Sequence, residues 1–67
     1  MKSYRVTGPW SVFDDGCRYP ALMDYGQTDH TSFVSESSDE AVYDVRATQS
    51  FFDSLPSSEF TIEDLNG

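Results

Sequence analysis

Apolar and polar positions along this chain follow one period in the first half and another in the second, and the switch sets the elements expected. Over residues 3–13, Tyr4, Val6, Trp10 and Val12 occupy alternating positions, interrupted at Gly8-Pro9. That pattern predicts a strand with a bulge, or two short strands. Asp15-Gly16 is a turn signal. Because Asp-Gly accepts the positive φ angles of a type I′ hairpin, residues 17–24 are expected to return antiparallel, with Pro20 placing that strand near an edge. Residues 26–31 hold no apolar side chain and read as a loop, and Ser32-Phe33-Val34-Ser35 reads as one more short strand.

Beyond Ser37 the period reads as helical. Ser37-Ser38-Asp39-Glu40 fits a capping box, in which the Ser37 hydroxyl accepts from the Glu40 amide and the Glu40 carboxylate reaches back to the Ser37 amide. Ala41, Val42, Val45 and Phe52 fall on one face at about 100° per residue, with Leu55 at its margin, which predicts an amphipathic helix to about Ser54, stopped by Pro56. Glu59-Phe60-Thr61-Ile62-Glu63 then alternates, with Phe60 and Ile62 facing inward. The expected fold is α+β: one domain over residues 1–67, a small antiparallel sheet with one helix on one face, in the order β-β-(β)-α-β.

Sixty-seven residues bury only about 60% of the surface the unfolded chain exposes, and a radius of gyration of about 11 Å leaves little depth for an enclosed ligand pocket. A shallow surface is the expected working part. The ten aromatic residues favour a folded core, against the opposing pull of ten serines and a net charge of −8. Trp10, Phe13, Tyr19 and Phe52 are expected in that core, and Tyr25, Tyr43 and Phe51 off it. Cys17 is the only cysteine, so no internal disulfide can form, and it is expected as a small buried hydrophobe in a cytoplasmic protein. No apolar run approaches membrane-span length or forms a signal peptide. Met1 and the Asn66-Gly67 end fit a complete small reading frame.

Charge sharpens this picture. Residues 1–28 balance Asp14, Asp15 and Asp24 against Lys2, Arg5 and Arg18, whereas residues 29–67 set nine carboxylates against Arg46 alone. Glu36, Glu40 and Asp44 would follow one another at i, i+4 on the predicted helix, a spacing at which like charges cost a few tenths of a kcal/mol per pair. Such an arrangement is costly to stability and suits a surface made to be met by cations. The same charge argues against direct nucleic-acid binding, which needs clustered Lys and Arg.

Little in the chain points to catalysis. His30 beside Asp29 could form half of an acid–base pair, but no nucleophile elbow, glycine-rich phosphate loop or Cys-x-x-Cys spacing accompanies it. Asp14-Asp15-Gly16 is too short for a calcium loop. No catalytic residue, metal ligand or cofactor is therefore expected, and the chain reads as a binding protein.

The element order over residues 31–65, with Ser-Ser-Asp-Glu-Ala-Val opening a helix and Glu-Phe-Thr-Ile-Glu closing the fold, resembles small phage-encoded inhibitors of the T7-type RNA polymerase inhibitor class. The resemblance implies a phage protein that blocks a host or defence enzyme by surface contact. The final strand here is acidic where that inhibitor's is basic, which puts RNA polymerase in doubt as the target. The expected partner is a protein, a nucleic-acid-processing enzyme or an RNA-guided or restriction defence complex, whose basic groove meets a nucleic-acid mimic. The expected contact residues are Glu36, Glu40, Asp44, Glu59 and Glu63, with Tyr43 and Phe51. The alternative is an adaptor that binds through exposed aromatics, its acids serving solubility.

Overall fold

A computed structural model describes residues 1–65. Strands β1 (Lys2–Gly8), β2 (Trp10–Val12), β3 (Arg18–Pro20), β4 (His30–Glu36), β5 (Ala41–Ala47) and β6 (Thr61–Asp64) are joined by a 3₁₀ turn (Ala21–Tyr25) and one helix, α1 (Gln49–Ser54). Four strands form an antiparallel sheet in the order β4-β5-β1-β6, and β2 and β3 form a separate hairpin. The α+β class and the single helix agree with the sequence reading. The expected order held at most four strands and the structure has six: residues 3–13 divide into β1 and β2, and β5 stands where most of the helix was expected.

That correction has a physical cause. Ala41-Val42-Tyr43-Asp44-Val45-Arg46-Ala47 supports either period, but its β-branched and aromatic residues prefer a pleated strand. As a strand it buries Ala41, Val45 and Ala47 with Tyr43 half-buried on the same side, and turns Val42, Asp44 and Arg46 to the other. The predicted local hydrogen bond does form: the Ser37 hydroxyl accepts from the Glu40 amide at 3.1 Å and from the Asp39 amide at 3.3 Å. It closes a hairpin turn, however, with the Ser37 amide donating to the Glu40 carbonyl at 2.9 Å. The real helix starts eleven residues later, capped by the Thr48 hydroxyl, which accepts from the Phe51 amide at 3.2 Å.

The core lies between one sheet face and a layer made of α1 and the 3₁₀ turn. Val6 and Val45 meet Leu22, Phe51, Phe52, Leu55 and Phe60 there, and Tyr4 closes edge-on against Phe52 with ring centroids 4.5 Å apart. Gly8, the last residue of β1, has no side chain where Phe60 packs; a Cβ there would collide with the Phe60 ring. The radius of gyration, 11.4 Å, is that of a compact chain of this length.

Several finer expectations change. The hairpin between β2 and β3 is not type I′, since Gly16 at φ 90° has a positive φ and Asp15 does not. The Phe13 amide donates to the Cys17 carbonyl and the Gly16 amide to the Phe13 carbonyl, a three-residue loop completed by a left-handed glycine. The strand expected over residues 17–24 stops at Pro20 and gives way to the 3₁₀ turn. Cys17 is exposed, not buried, and Phe13, 56% exposed, lies outside the core beside Tyr19 at 4.3 Å between centroids. Ile62 does lie on the core side of the sheet opposite Val6, yet β6 is an edge strand beyond the reach of the helix layer, so Ile62 stays 38% exposed.

Candidate binding surface

Antiparallel pairing gives the sheet two unlike ends. The registers bring Gly8, Ala41, Glu36 and Thr61 to one end, and Lys2, Ala47, His30 and Asp64 to the other. The β4–β5 turn carrying Asp39 and Glu40 lies at the first end, and the Pro56–Phe60 turn with Glu59 leads into it. The β2–β3 hairpin, with Asp14 and Asp15 at its tip, leaves the sheet there as well. It is held by the Trp10 indole N–H donating to the Ser37 carbonyl at 3.0 Å and by Arg18 paired with Glu36 at 3.2 Å. Asp24 sits at the hairpin's base, where it accepts from the Tyr19 hydroxyl at 2.7 Å and from Ser11 at 2.9 Å. This turn end therefore carries seven carboxylates, Asp14, Asp15, Asp24, Glu36, Asp39, Glu40 and Glu59, with Arg18 as its one basic side chain.

The rest of the molecule sets five carboxylates, Asp29, Asp44, Asp53, Glu63 and Asp64, against Lys2, Arg5 and Arg46. On the sheet face turned away from α1, Arg5 grips Asp44 with two hydrogen bonds, Nε at 2.8 Å and an Nη at 3.1 Å, while Glu63 sits opposite Arg5 in the register. Arg46 pairs with Asp29 at 3.5 Å. The hydrogen bonds from Arg5 hold the Asp44 carboxyl below its ordinary range, and the same contact raises the guanidinium. Hydrogen bonding to Asp24 raises the Tyr19 phenol; desolvation, then the charge of Glu59, raises that of Tyr25.

Bases from the first half thus neutralise acids of the second: Arg5 with Asp44, Arg18 with Glu36. The anionic region is consequently not residues 29–67 but the turn end, to which both halves contribute. No ion pair reaches Asp14, Asp39 or Glu40 among the described residues.

The residues singled out from sequence are scattered by this geometry. Glu36, Glu40 and Asp44 share no helix face, because they lie on β4, the turn and β5. Glu36, Glu40 and Glu59 belong to the turn end; Asp44 and Glu63 belong to the open sheet face and its Arg5 pair. Phe51, expected at the surface, is 6% exposed in the core, because α1 begins at Gln49 and turns that side inward. Tyr43 is half-buried on the core side, edge-on to Phe33 at 5.8 Å, and Tyr25 is half-buried against Phe60 at 5.6 Å. Asp14, Asp15 and Asp24, absent from the sequence-based set, join the surface. Their signal was hidden because Lys2, Arg5 and Arg18 offset them in linear count.

The geometry offers little for chemistry. His30 Nε2 lies 2.9 Å from the Ser32 hydroxyl, and Asp44 is their neighbour across the strand pair, but its carboxylate is engaged by Arg5. These groups line an open depression of about 190 Å³ with Ser3 and Arg46. Among the described residues no group of three or more His, Cys, Asp or Glu side chains is placed to hold a metal ion, and no helix is long and apolar enough to cross a membrane. Comparison with protein-family models, with characterised proteins and with solved structures gave no match.

Proposed function

We propose that this chain is a non-catalytic inhibitor of the phage type, which docks its acidic turn end on the basic nucleic-acid-binding surface of a cytoplasmic enzyme or defence complex. The carrying observation is the sorting of charge: seven carboxylates with Arg18 at one end, against five carboxylates and three basic side chains elsewhere, where Arg5 holds Asp44 and Arg46 holds Asp29. The body measures 23 and 21 Å along its shorter extents, and one DNA strand carries about six to seven phosphates over that width. A protein surface of that density competes for the cations that would otherwise meet a phosphate backbone. Proximity of like charge is tolerated because Asp14, Asp15, Asp39, Glu40 and Glu59 sit on turns, open to water, where repulsion is screened.

The reading is tested by affinity capture from cell lysate at about 50 mM salt with elution through about 200 mM, comparing the chain with its D39K/E40K double variant. Nucleic-acid-binding proteins are expected to be captured, to elute early in the gradient and to be lost by the variant. An unchanged captured set and elution profile would overturn it. A second reading rests on the exposed Phe13–Tyr19 pair, 4.3 Å apart at the projecting hairpin, as an aromatic anchor for an adaptor. Binding of that kind would be insensitive to salt and lost in Phe13→Ala.

A further inference from the structure

The two faces of the β2–β3 hairpin are used differently. By strand alternation Trp10, Val12 and Arg18 share one face, from which Trp10 and Arg18 hold the β4–β5 end through Ser37 and Glu36. Ser11, Phe13 and Tyr19 share the other, where Phe13 stays 56% exposed. That exposed ring is nevertheless fixed. The Phe13 amide donates to the Cys17 carbonyl at 2.7 Å, and the Phe13 carbonyl accepts from the Gly16 amide at 3.0 Å. Its ring lies over Tyr19 with centroids 4.3 Å apart and planes tilted by 33°. Tyr19 is tied in turn by its hydroxyl, which donates to Asp24 at 2.7 Å. The carboxylates of Asp14 and Asp15 follow Phe13 directly, and Asp15 is oriented by accepting from the Cys17 amide at 2.9 Å.

A ring held in water adds nothing to a small core, and because it is already ordered it loses little further freedom when a partner covers it. The charges beside it decide what that partner must be. A lipid surface or an apolar protein pocket without cations would strip water from Asp14 and Asp15 and leave them unpaired. A stacked ring bordered by anions instead carries both recognition elements of a nucleotide, the flat face of a base and the charge of a phosphate. Duplex DNA shows a partner its phosphates but keeps its base faces stacked inside. Single strands show both, and the surfaces that bind them combine a cationic groove with aromatic platforms.

We infer that the Phe13–Tyr19 stack occupies a base-stacking subsite on a protein that binds single-stranded nucleic acid, with Asp14 and Asp15 meeting the cations around it. This rests on the proposed function and narrows its partner from nucleic-acid-binding proteins in general to those that read unpaired bases.

The test is displacement of the proteins that the immobilised chain captures from nuclease-treated lysate at about 50 mM salt. Three polyanions compete at equal phosphate concentration: oligo(dT) of about 16 nucleotides, an abasic strand of the same length, and the duplex of that oligo(dT) with oligo(dA). The captured proteins are expected to leave with oligo(dT) at concentrations roughly tenfold below those the other two require. Phe13→Leu, which keeps apolar area without an aromatic face, is expected to weaken retention about tenfold, and Phe13→Tyr to preserve it. Both variants should melt as the parent does, since Phe13 lies outside the core. Retention should also fall with salt, which a purely apolar anchor would not show. Displacement by the abasic strand or the duplex as readily as by oligo(dT), or retention by F13L equal to the parent's, overturns this inference even where D39K/E40K loses capture. Capture that D39K/E40K leaves unchanged overturns instead the reading on which it rests.

Discussion

The open face of the sheet and its turn end are both rich in carboxylates, and the two use them in opposite ways. On the open face Asp44 is held by two hydrogen bonds from Arg5, and Asp29 meets Arg46, so acid and base lock neighbouring elements together. At the turn end Arg18 serves Glu36 and lies over the Trp10 ring at 4.1 Å, and among the described residues no ion pair reaches Asp14, Asp39 or Glu40. The difference separates charge that contributes to holding the fold from charge left available to a partner. It also explains how −8 is tolerated: the repelling groups sit on turns rather than across a strand pair, where like charges directly opposite destabilise.

Substitutions that cut at this contrast should differ widely in effect. Phe60 anchors the turn end to the sheet by packing on Gly8 at 5% exposure, so Phe60→Ala is expected to cost about 3 to 5 kcal/mol and to abolish the cooperative thermal transition of so small a domain. A transition near the parent's would deny that anchor. Gly8→Ala meets the same ring from the other side and should cost about 1 to 3 kcal/mol by overpacking, read as a lowered denaturation midpoint.

On the open face the expectation concerns pH. The Asp44 carboxyl titrates below its unfolded value, so unfolding takes up a proton there in acid. The stabilisation is complete above the ordinary carboxylate pKa of about 4 and is lost as pH falls through the lower folded value. Asp44→Asn should remove that part of the acid dependence and leave the neutral-pH slope alone, measured as denaturation midpoints against pH for both chains. At the turn end D39K/E40K should move stability by less than about 0.5 kcal/mol while removing partner capture. A large loss of stability in that variant would mean that these acids contribute to the fold, and the contrast between the regions would fail.

Much of the architecture was legible in the chain. The break at Gly8-Pro9, the turn at Asp15-Gly16, the short strand around Phe33, the stop at Pro56 and the closing strand after Phe60 all follow from local chemistry. Residues 41–47 did not, because their apolar positions satisfy both periods and the Ser37 hydroxyl bridges the next amides equally well in a helix cap or a hairpin turn. Of the residues expected on the buried face, Ala41, Val45, Phe52 and Leu55 are buried, Ala41 and Val45 on a strand, whereas Val42 is turned to the open face because a strand alternates. Phe51 was misplaced for the same reason: a helix begun at Ser37 turns a different side inward from one begun at Gln49.

By itself the sequence determined the class of fold, the size of the core, the excess of negative charge and the lack of recognisable catalytic motifs, since each follows from composition and short-range pattern. Only the tertiary structure decided which acids act together. Strand pairing carries Arg5 to Asp44 and Arg18 to Glu36, and folds a balanced N-terminal segment and an acidic C-terminal one into a single acidic end. Linear charge counts cannot show this, because Coulomb interaction depends on distance in space, and an antiparallel sheet makes neighbours of residues that are far apart along the chain.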